Sequence, residues 1–198
     1  MDRAVLVVIP ARGGSKRLPG KNIALVLGRP ALLRVIDECR KSRHVSRLVV
    51  STEDSTIATL CEDYGVEVIH RPEWLARDDT PKQDVIVHAT QYLADREDYQ
   101  SAIVVSLQPN TPEFQASHLD EAIDFFRTRV FPGHPVKEVF TVGKDLVQNG
   151  AFRIMTWKTV FQKTLSTYVG VYVADYIDVH TADDLKRVEE RIGQRTTR

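Results

Sequence analysis

A chain of 198 residues is long enough for one α/β domain with a sizeable core. Its 27 Lys and Arg balance 27 Asp and Glu, so no global field argues for nucleic acid or an anionic membrane as a partner. Cys39 and Cys61 are too few for a disulfide framework or cysteine metal cluster, and without a leader pattern or an apolar run of spanning length the expected location is cytoplasmic.

The run 4–9 is apolar and valine-rich and predicts a buried strand. A loop from Pro10 to Asn22 follows, and Pro30 opens a helix over 31–42 with Leu32, Leu33, Ile36 and Cys39 as its apolar stripe. A short strand over 48–51 leads to a helix capped by Asp54 and ended by Gly65, then to a strand over Glu67–His70. Thr80-Pro81-Lys82-Gln83 reads as a capping box with proline at the first helical position, and Val85, Ile86, Ala89 and Leu93 face inward. The run 102–107 predicts a central parallel strand. Ser117 is expected to cap a helix containing Ala122, Ile123 and Phe126. Strands are expected over Glu138–Val142, 150–155 and Val169–Val173, with a short helix between the last two, and Thr181 with Asp184 should cap a final helix over 182–192. This alternation predicts an α/β fold of three layers: a mostly parallel, Rossmann-like sheet with helices on both faces. Ligands then bind beyond the carboxyl ends of the strands, where the segments after Ile9, Ser51, His70 and Leu107 converge. One domain is expected over 1–192, with a flexible tail over 193–198.

The loop carries the strongest chemical signal. It interleaves Gly13, Gly14 and Gly20 with Arg12, Lys16 and Lys21 directly after a buried strand. Glycine lets backbone N–H groups approach an anion, and the cations neutralise charge spread over several oxygens, so the pattern points to phosphate. It is not a P-loop: five residues lie between Gly14 and Gly20, and Asn22 stands where the magnesium hydroxyl belongs. Nor do these glycines fit the dinucleotide fingerprint.

Ala11-Arg12-Gly13-Gly14-Ser15-Lys16 with Lys21-Asn22 closely resembles the N-terminal signature of the cytidylyltransferases that activate acylneuraminate and related sugar acids. Further stations resemble that family: Ser51-Thr52-Glu53-Asp54, Arg71-Pro72 followed by Asp78-Asp79-Thr80, Leu107-Gln108-Pro109-Asn110-Thr111-Pro112, Asn149-Gly150-Ala151, and Ile177-Asp178-Val179-His180-Thr181. The resemblance implies a fold of the nucleotide-diphospho-sugar transferase type and a reaction that couples CTP to an acidic small-molecule acceptor, a nonulosonate or related sugar acid, with release of pyrophosphate. It implies that Arg12, Lys16 and Lys21 are catalytic and hold the triphosphate, and that Ala11, Gly13, Gly14, Ser15, Asn22 and Arg71 bind the nucleotide. Gln108 would face the acceptor and Asp178 would hold Mg2+. A homodimer is the implied assembly.

Three departures stand out. Glu113-Phe114-Gln115 follows where the family continues with a hydrophobic residue and an arginine. Only Gly143–Gln148 remains where the family carries a longer insertion that contributes to the dimer, so any dimer is expected to be smaller or to be built from 130–142 instead. His180 replaces the second of two alternating carboxylates, and imidazole is a poor ligand for magnesium. Two other readings stay open: a sister nucleotidyltransferase with a phosphonate-type or other acceptor, and a nucleotide-binding homologue without catalysis.

Overall fold

The computed structural model describes residues 4–130, 136–164 and 166–196. In chain order its elements are β1 (Val5–Pro10), β2 (Leu25–Val26), β3 (Arg29–Pro30), α1 (Ala31–Lys41), β4 (Arg47–Thr52), α2 (Ser55–Asp63) and β5 (Glu67–His70). A 3-10 turn at Glu73–Ala76 precedes α3 (Lys82–Glu97), β6 (Ile103–Leu107), α4 (Ala116–Val130), β7 (Glu138–Val142), β8 (Gln148–Thr156), α5 (Trp157–Val160), β9 (Val169–Val173) and α6 (Ala182–Thr196).

β1 lies at the heart of a seven-stranded sheet ordered β5-β4-β1-β6-β8-β7-β9. Val5 to Ile9 are wholly buried, because layers on both faces cover the strand. That is why the run shows no polar alternation. β5, β4, β1 and β6 pair in parallel, β8 runs antiparallel to both β6 and β7, and β9 adds in parallel to β7. The sheet is therefore mostly parallel and helix-flanked, as the alternation predicts. On one face Leu32, Ile36, Ile123 and Phe126 pack against Val5, Val7 and Ile9; on the other Ile86, Ala89 and Leu93 pack against Leu6 and Val8. Cys39 and Cys61 are buried free thiols, their pKa pushed up by burial to about 12 and about 11, so they serve as small core residues. Among the described residues no helix is long and apolar enough to cross a membrane.

Local signals set two helix starts. The Asp54 carboxylate accepts the Ile57 N–H at 2.9 Å, and Gly65, at φ 66°, turns the chain after α2. Thr181 and Asp184 form a reciprocal box: the Thr181 hydroxyl accepts the Asp184 N–H at 3.2 Å, and the Asp184 carboxylate accepts the Thr181 N–H at 2.9 Å.

Elsewhere tertiary partners override the local pattern. The Thr80 box does not form: its hydroxyl donates to the Trp74 carbonyl at 2.8 Å, and Gln83 turns to Arg153 and the Val160 carbonyl. α3 accordingly starts at Lys82 with no side-chain cap. Ser117 sits inside the first turn of α4 rather than before it. α6 runs past Ile192 and through Gly193 to Thr196, with Arg195 donating to Glu113, so the tail expected from 193 is helical over its described part. The expected dimer segment lies partly outside the described residues, at 131–135, while β7 is an interior strand between β8 and β9 and offers no free edge.

The departure at Glu113-Phe114-Gln115 proves to be scaffold. The Glu113 carboxylate is fully buried and holds α6 through Arg191 and Arg195, each at 3.1 Å, while accepting the Ile177 N–H at 2.6 Å. Burial pushes its pKa up against the pull of that N–H and the two guanidiniums. Phe114 is buried edge-on to Phe152, and the Gln115 N–H donates to the Tyr176 hydroxyl.

Candidate active site

Four parallel strands put their carboxyl ends on one edge of the sheet, and the segments that leave β1, β5 and β6 wall a cleft of about 440 Å3 there. Arg12, Ser15, Lys16, Arg17, Lys21 and Asn22 line it from the first of these, Arg71, Arg77 and Asp78 from the second, and Gln108 and Asn110 from the third. Lys82, in the first turn of α3, and Asp178 and His180, from the segment between β9 and α6, close the ring. Cations outnumber carboxylates in this lining, so the cleft is built for an anion.

The cations differ in their partners. Arg12 Nη1 lies 2.8 Å from Asp78 Oδ1, and Lys16 Nζ lies 2.6 Å from Asp78 Oδ2. Arg71 is buried and donates from Nε and Nη2 to Glu53 Oε2 at 3.0 and 2.8 Å. The other oxygen of Glu53 accepts the Gly13 N–H at 2.8 Å, so this carboxylate ties the first loop to Arg71. Lys21 and Lys82 form no ion pair among the described residues. Burial pulls the pKa of Lys21 below its ordinary value, opposed by Asp178 and reinforced by Arg12, Lys82 and Arg17. An anion between these groups would meet charge that the fold has left uncompensated.

Asn22 is almost wholly buried, and its Nδ2 donates to the Arg12 carbonyl at 2.9 Å. That contact fixes the amide orientation and leaves Oδ1 as a buried acceptor without a partner among the described residues. An acceptor repels phosphate oxygens; it suits a ligand amino or hydroxyl group.

Opposite the cations, Asp178 receives Asn110 Nδ2 on one oxygen and lies 2.8 Å from His180 Nε2 through the other. Arg17 Nη2 lies 3.0 Å from His180 Nδ1. A guanidinium only donates, so Nδ1 accepts and the proton sits on Nε2, which donates to Asp178. Both ring nitrogens are then engaged, and His180 positions Asp178 instead of acting as a ligand. A metal site here has one protein carboxylate; among the described residues no group of three or more His, Cys, Asp or Glu converges. That donor set fits a hard divalent cation whose remaining ligands are phosphate oxygens and water, a common magnesium arrangement.

Lys82 and Gln108 also line a side pocket of about 160 Å3, completed by Gln83, Ser106, Phe140, Gln148, Gly150 and Arg153 among others. Gly150, at φ 69°, holds a conformation that favours glycine, and a side chain there would begin 4.0 Å from Lys82 Nζ. Asn149 donates to the Ala174 carbonyl at the end of β9, so the Asn-Gly-Ala station shapes this pocket.

Of the residues singled out from sequence, Arg12, Ser15, Lys16, Lys21, Asn22, Arg71, Gln108 and Asp178 meet around the cleft. Three do not line it. Ala11 is buried, its N–H donating to the Ser51 carbonyl at 2.9 Å. Gly13 spends its N–H on Glu53, and any side chain there would strike Asp54, 2.0 Å from the nearest atom. Gly14 is exposed, with open space around it. The tight approach at Gly13 thus serves Asp54 rather than a ligand. Sequence reasoning missed Arg17, Arg77, Lys82 and Asn110 as site residues. Arg17 lies inside the cationic loop and Asn110 beside Gln108 in its station, so both were open to discovery; Arg77 and Lys82 enter only through tertiary placement.

The cytidylyltransferase family model matches residues 6–164. The N-acylneuraminate cytidylyltransferase of Escherichia coli O18:K1:H7 is 30% identical over 65% of this chain and 29% of its own length. The chain spans about a third of the length of such curated relatives, 29% and 35% in two of them. Among solved structures, a CMP:2-keto-3-deoxy-manno-octonic acid synthetase complexed with CTP superposes with a TM-score of 0.78 at 15% identity, over 96% of this chain and 99% of that one. A Mycobacterium tuberculosis H37Rv protein in complex with manganese gives a TM-score of 0.65 at 14% identity, over 94% and 98%.

Proposed function

This chain belongs to the cytidylyltransferase family, and from that premise we propose that it couples CTP to an acidic sugar with release of pyrophosphate. The observation that carries the reading is the cluster of Arg12, Lys16, Arg17, Lys21 and Lys82 around one strand-end cleft, with Asp178 across from it. A triphosphate is the ligand whose charge matches that arrangement. The E. coli relative is named for N-acylneuraminate and the CTP-bound synthetase for an octonic acid, which supports a sugar acid as acceptor here.

In this reading the acceptor oxygen attacks the α-phosphate in line, and pyrophosphate leaves. The protein's work is to hold two mutually repelling anions in register and to neutralise the charge that grows on the leaving group. Arg12, Lys16 and Lys21 take the triphosphate, together with the backbone near Ser15. Asn22 turns its open Oδ1 to a nucleoside amino or hydroxyl group, and Arg71, locked by Glu53, forms the wall beside it. Asp178, oriented by Asn110 and His180, would hold Mg2+. A bound divalent cation would supply charge neutralisation across the phosphates. The acceptor occupies the side pocket, with Gln108 at its neck and the Lys82 ammonium available to its carboxylate.

We also propose a homodimer. β9 is an edge strand whose Val169, Val171 and Val173 are 40%, 53% and 52% exposed, an apolar stripe that a second copy would cover. A nucleoside triphosphate substrate fits a cytoplasmic setting. The test of the chemistry is pyrophosphate release from CTP with magnesium and a panel of nonulosonates, octulosonates and phosphonates. We expect release with CTP and at least one sugar acid. Release with phosphonates alone would move the chain to a sister activity, and no release with any acceptor would make it a binding protein.

A further inference from the structure

The strongest unexplained feature of the cleft is the anion it already contains. Asp78 reaches in from the loop between the Glu73–Ala76 turn and α3 and takes one cation on each oxygen, Arg12 on Oδ1 at 2.8 Å and Lys16 on Oδ2 at 2.6 Å. Two oxygens on one centre, each meeting a separate cation, is the pattern a phosphate group would offer the same pair. The loop that carries Asp78 is braced from both sides. Arg12 also donates to the Ala76 carbonyl at 3.3 Å, the Thr80 hydroxyl closes onto the Trp74 carbonyl at 2.8 Å, and the Thr80 N–H reaches the Arg77 carbonyl at 3.2 Å. Asp78 itself is half exposed, with a side-chain exposure of 49%, so it is not needed to satisfy a buried charge.

We propose that Asp78 is an internal competitor of the ligand's phosphates, a positioning residue that pairs with Arg12 and Lys16 and must yield them when a phosphate chain binds. The inference rests on the reading of the cleft as a triphosphate site. It has one consequence for that site. A phosphate chain must displace Asp78 from both cations, and Asp78 returns to them as pyrophosphate departs, so it weakens product binding and favours turnover. The exchange is a swap of ionic partners with no change in covalent bonding.

Calorimetry with pyrophosphate as the probe tests this on wild type, Asp78→Asn and Asp78→Glu. Half-exposed ion pairs are weak, so the competitor is expected to cost the ligand about three- to tenfold in affinity. Asp78→Asn should bind pyrophosphate tighter by that factor and show a lower KM for CTP. Asp78→Glu, which keeps the charge, should stay near wild type. Affinity that is unchanged or weaker in an Asp78→Asn protein with an unshifted melting temperature overturns the proposal and leaves Asp78 as a loop brace. Failure of wild type itself to bind pyrophosphate or CTP would overturn the triphosphate reading, and this inference with it. A wild type that binds and an Asp78→Asn that does not bind tighter would sink this inference alone.

Discussion

Two ionic clusters in this fold are built on opposite rules. On the segment that leaves β6, buried Glu113 meets Arg191, Arg195 and the Ile177 N–H, so the anion is saturated by its own chain. At the strand ends, among the described residues, Lys21 and Lys82 have no ion pair, Asn22 Oδ1 has no donor, and the carboxylate offered to Arg12 is half in water. A cluster that satisfies itself holds elements together; one that leaves charge and hydrogen-bonding capacity open is waiting for a ligand. The same contrast divides the carboxylates. Glu113 anchors a helix, whereas Asp178 is held in place by Asn110 and His180 yet stays partly exposed to the cleft.

Substitutions in the two clusters should therefore fail in different ways. The largest effect is expected from Asp178→Asn, which removes the carboxylate across from the cations. Magnesium-dependent turnover should fall about a thousandfold or more, because the metal's charge neutralisation contributes several kcal/mol, while the melting temperature holds. Unaltered turnover would show that the metal site has been misplaced. Next is Lys21→Ala, where loss of one phosphate contact in a closed site costs about 2–4 kcal/mol, roughly a hundredfold in kcat/KM. An unchanged kcat/KM would reduce Lys21 to a surface cation.

Lys21 also gives the comparison a pH dependence. Burial lowers its pKa, so in the free protein it loses its proton below the pH at which an exposed lysine does. Phosphate needs the charged form, so CTP affinity should fall as pH rises through that lowered value, and Lys21→Ala should lack this limb. For the fold the sign is reversed: the penalty of the buried charge is present below the folded pKa and is relieved as pH rises toward the unfolded value. The smallest effect belongs to Glu113→Ala. It should cost about 2 kcal/mol of stability, less than a fully buried pair because both arginines can turn to water. Denaturant unfolding should show the loss, with KM for CTP unmoved. A changed KM would mean that the two clusters are coupled.

Much of the fold was legible where a signal is local. The Val5–Ile9 run, the Asp54 cap, Gly65 and the Thr181–Asp184 box need only their neighbours in sequence, and each stands in the structure as read. The Thr80 box failed because Trp74, Arg153 and Val160, which no local pattern includes, compete for the same side chains. The cationic loop was legible for the same local reason. The partners of its charges were not, since Asp78 reaches Arg12 and Lys16 from a loop more than 60 residues away in sequence. His180 could be placed on the face of Asp178 from alternation, but its engagement by Arg17 requires the folded loop.

The central claim is that the open charge at the strand ends is matched to a cytidine triphosphate. Titration calorimetry of the wild-type chain with CTP, UTP, ATP and GTP, each with magnesium, addresses it most directly. The account predicts that CTP binds tighter than the other three and that Lys21→Ala weakens all four. Equal affinity for every nucleotide, or a preference for a purine, would contradict it.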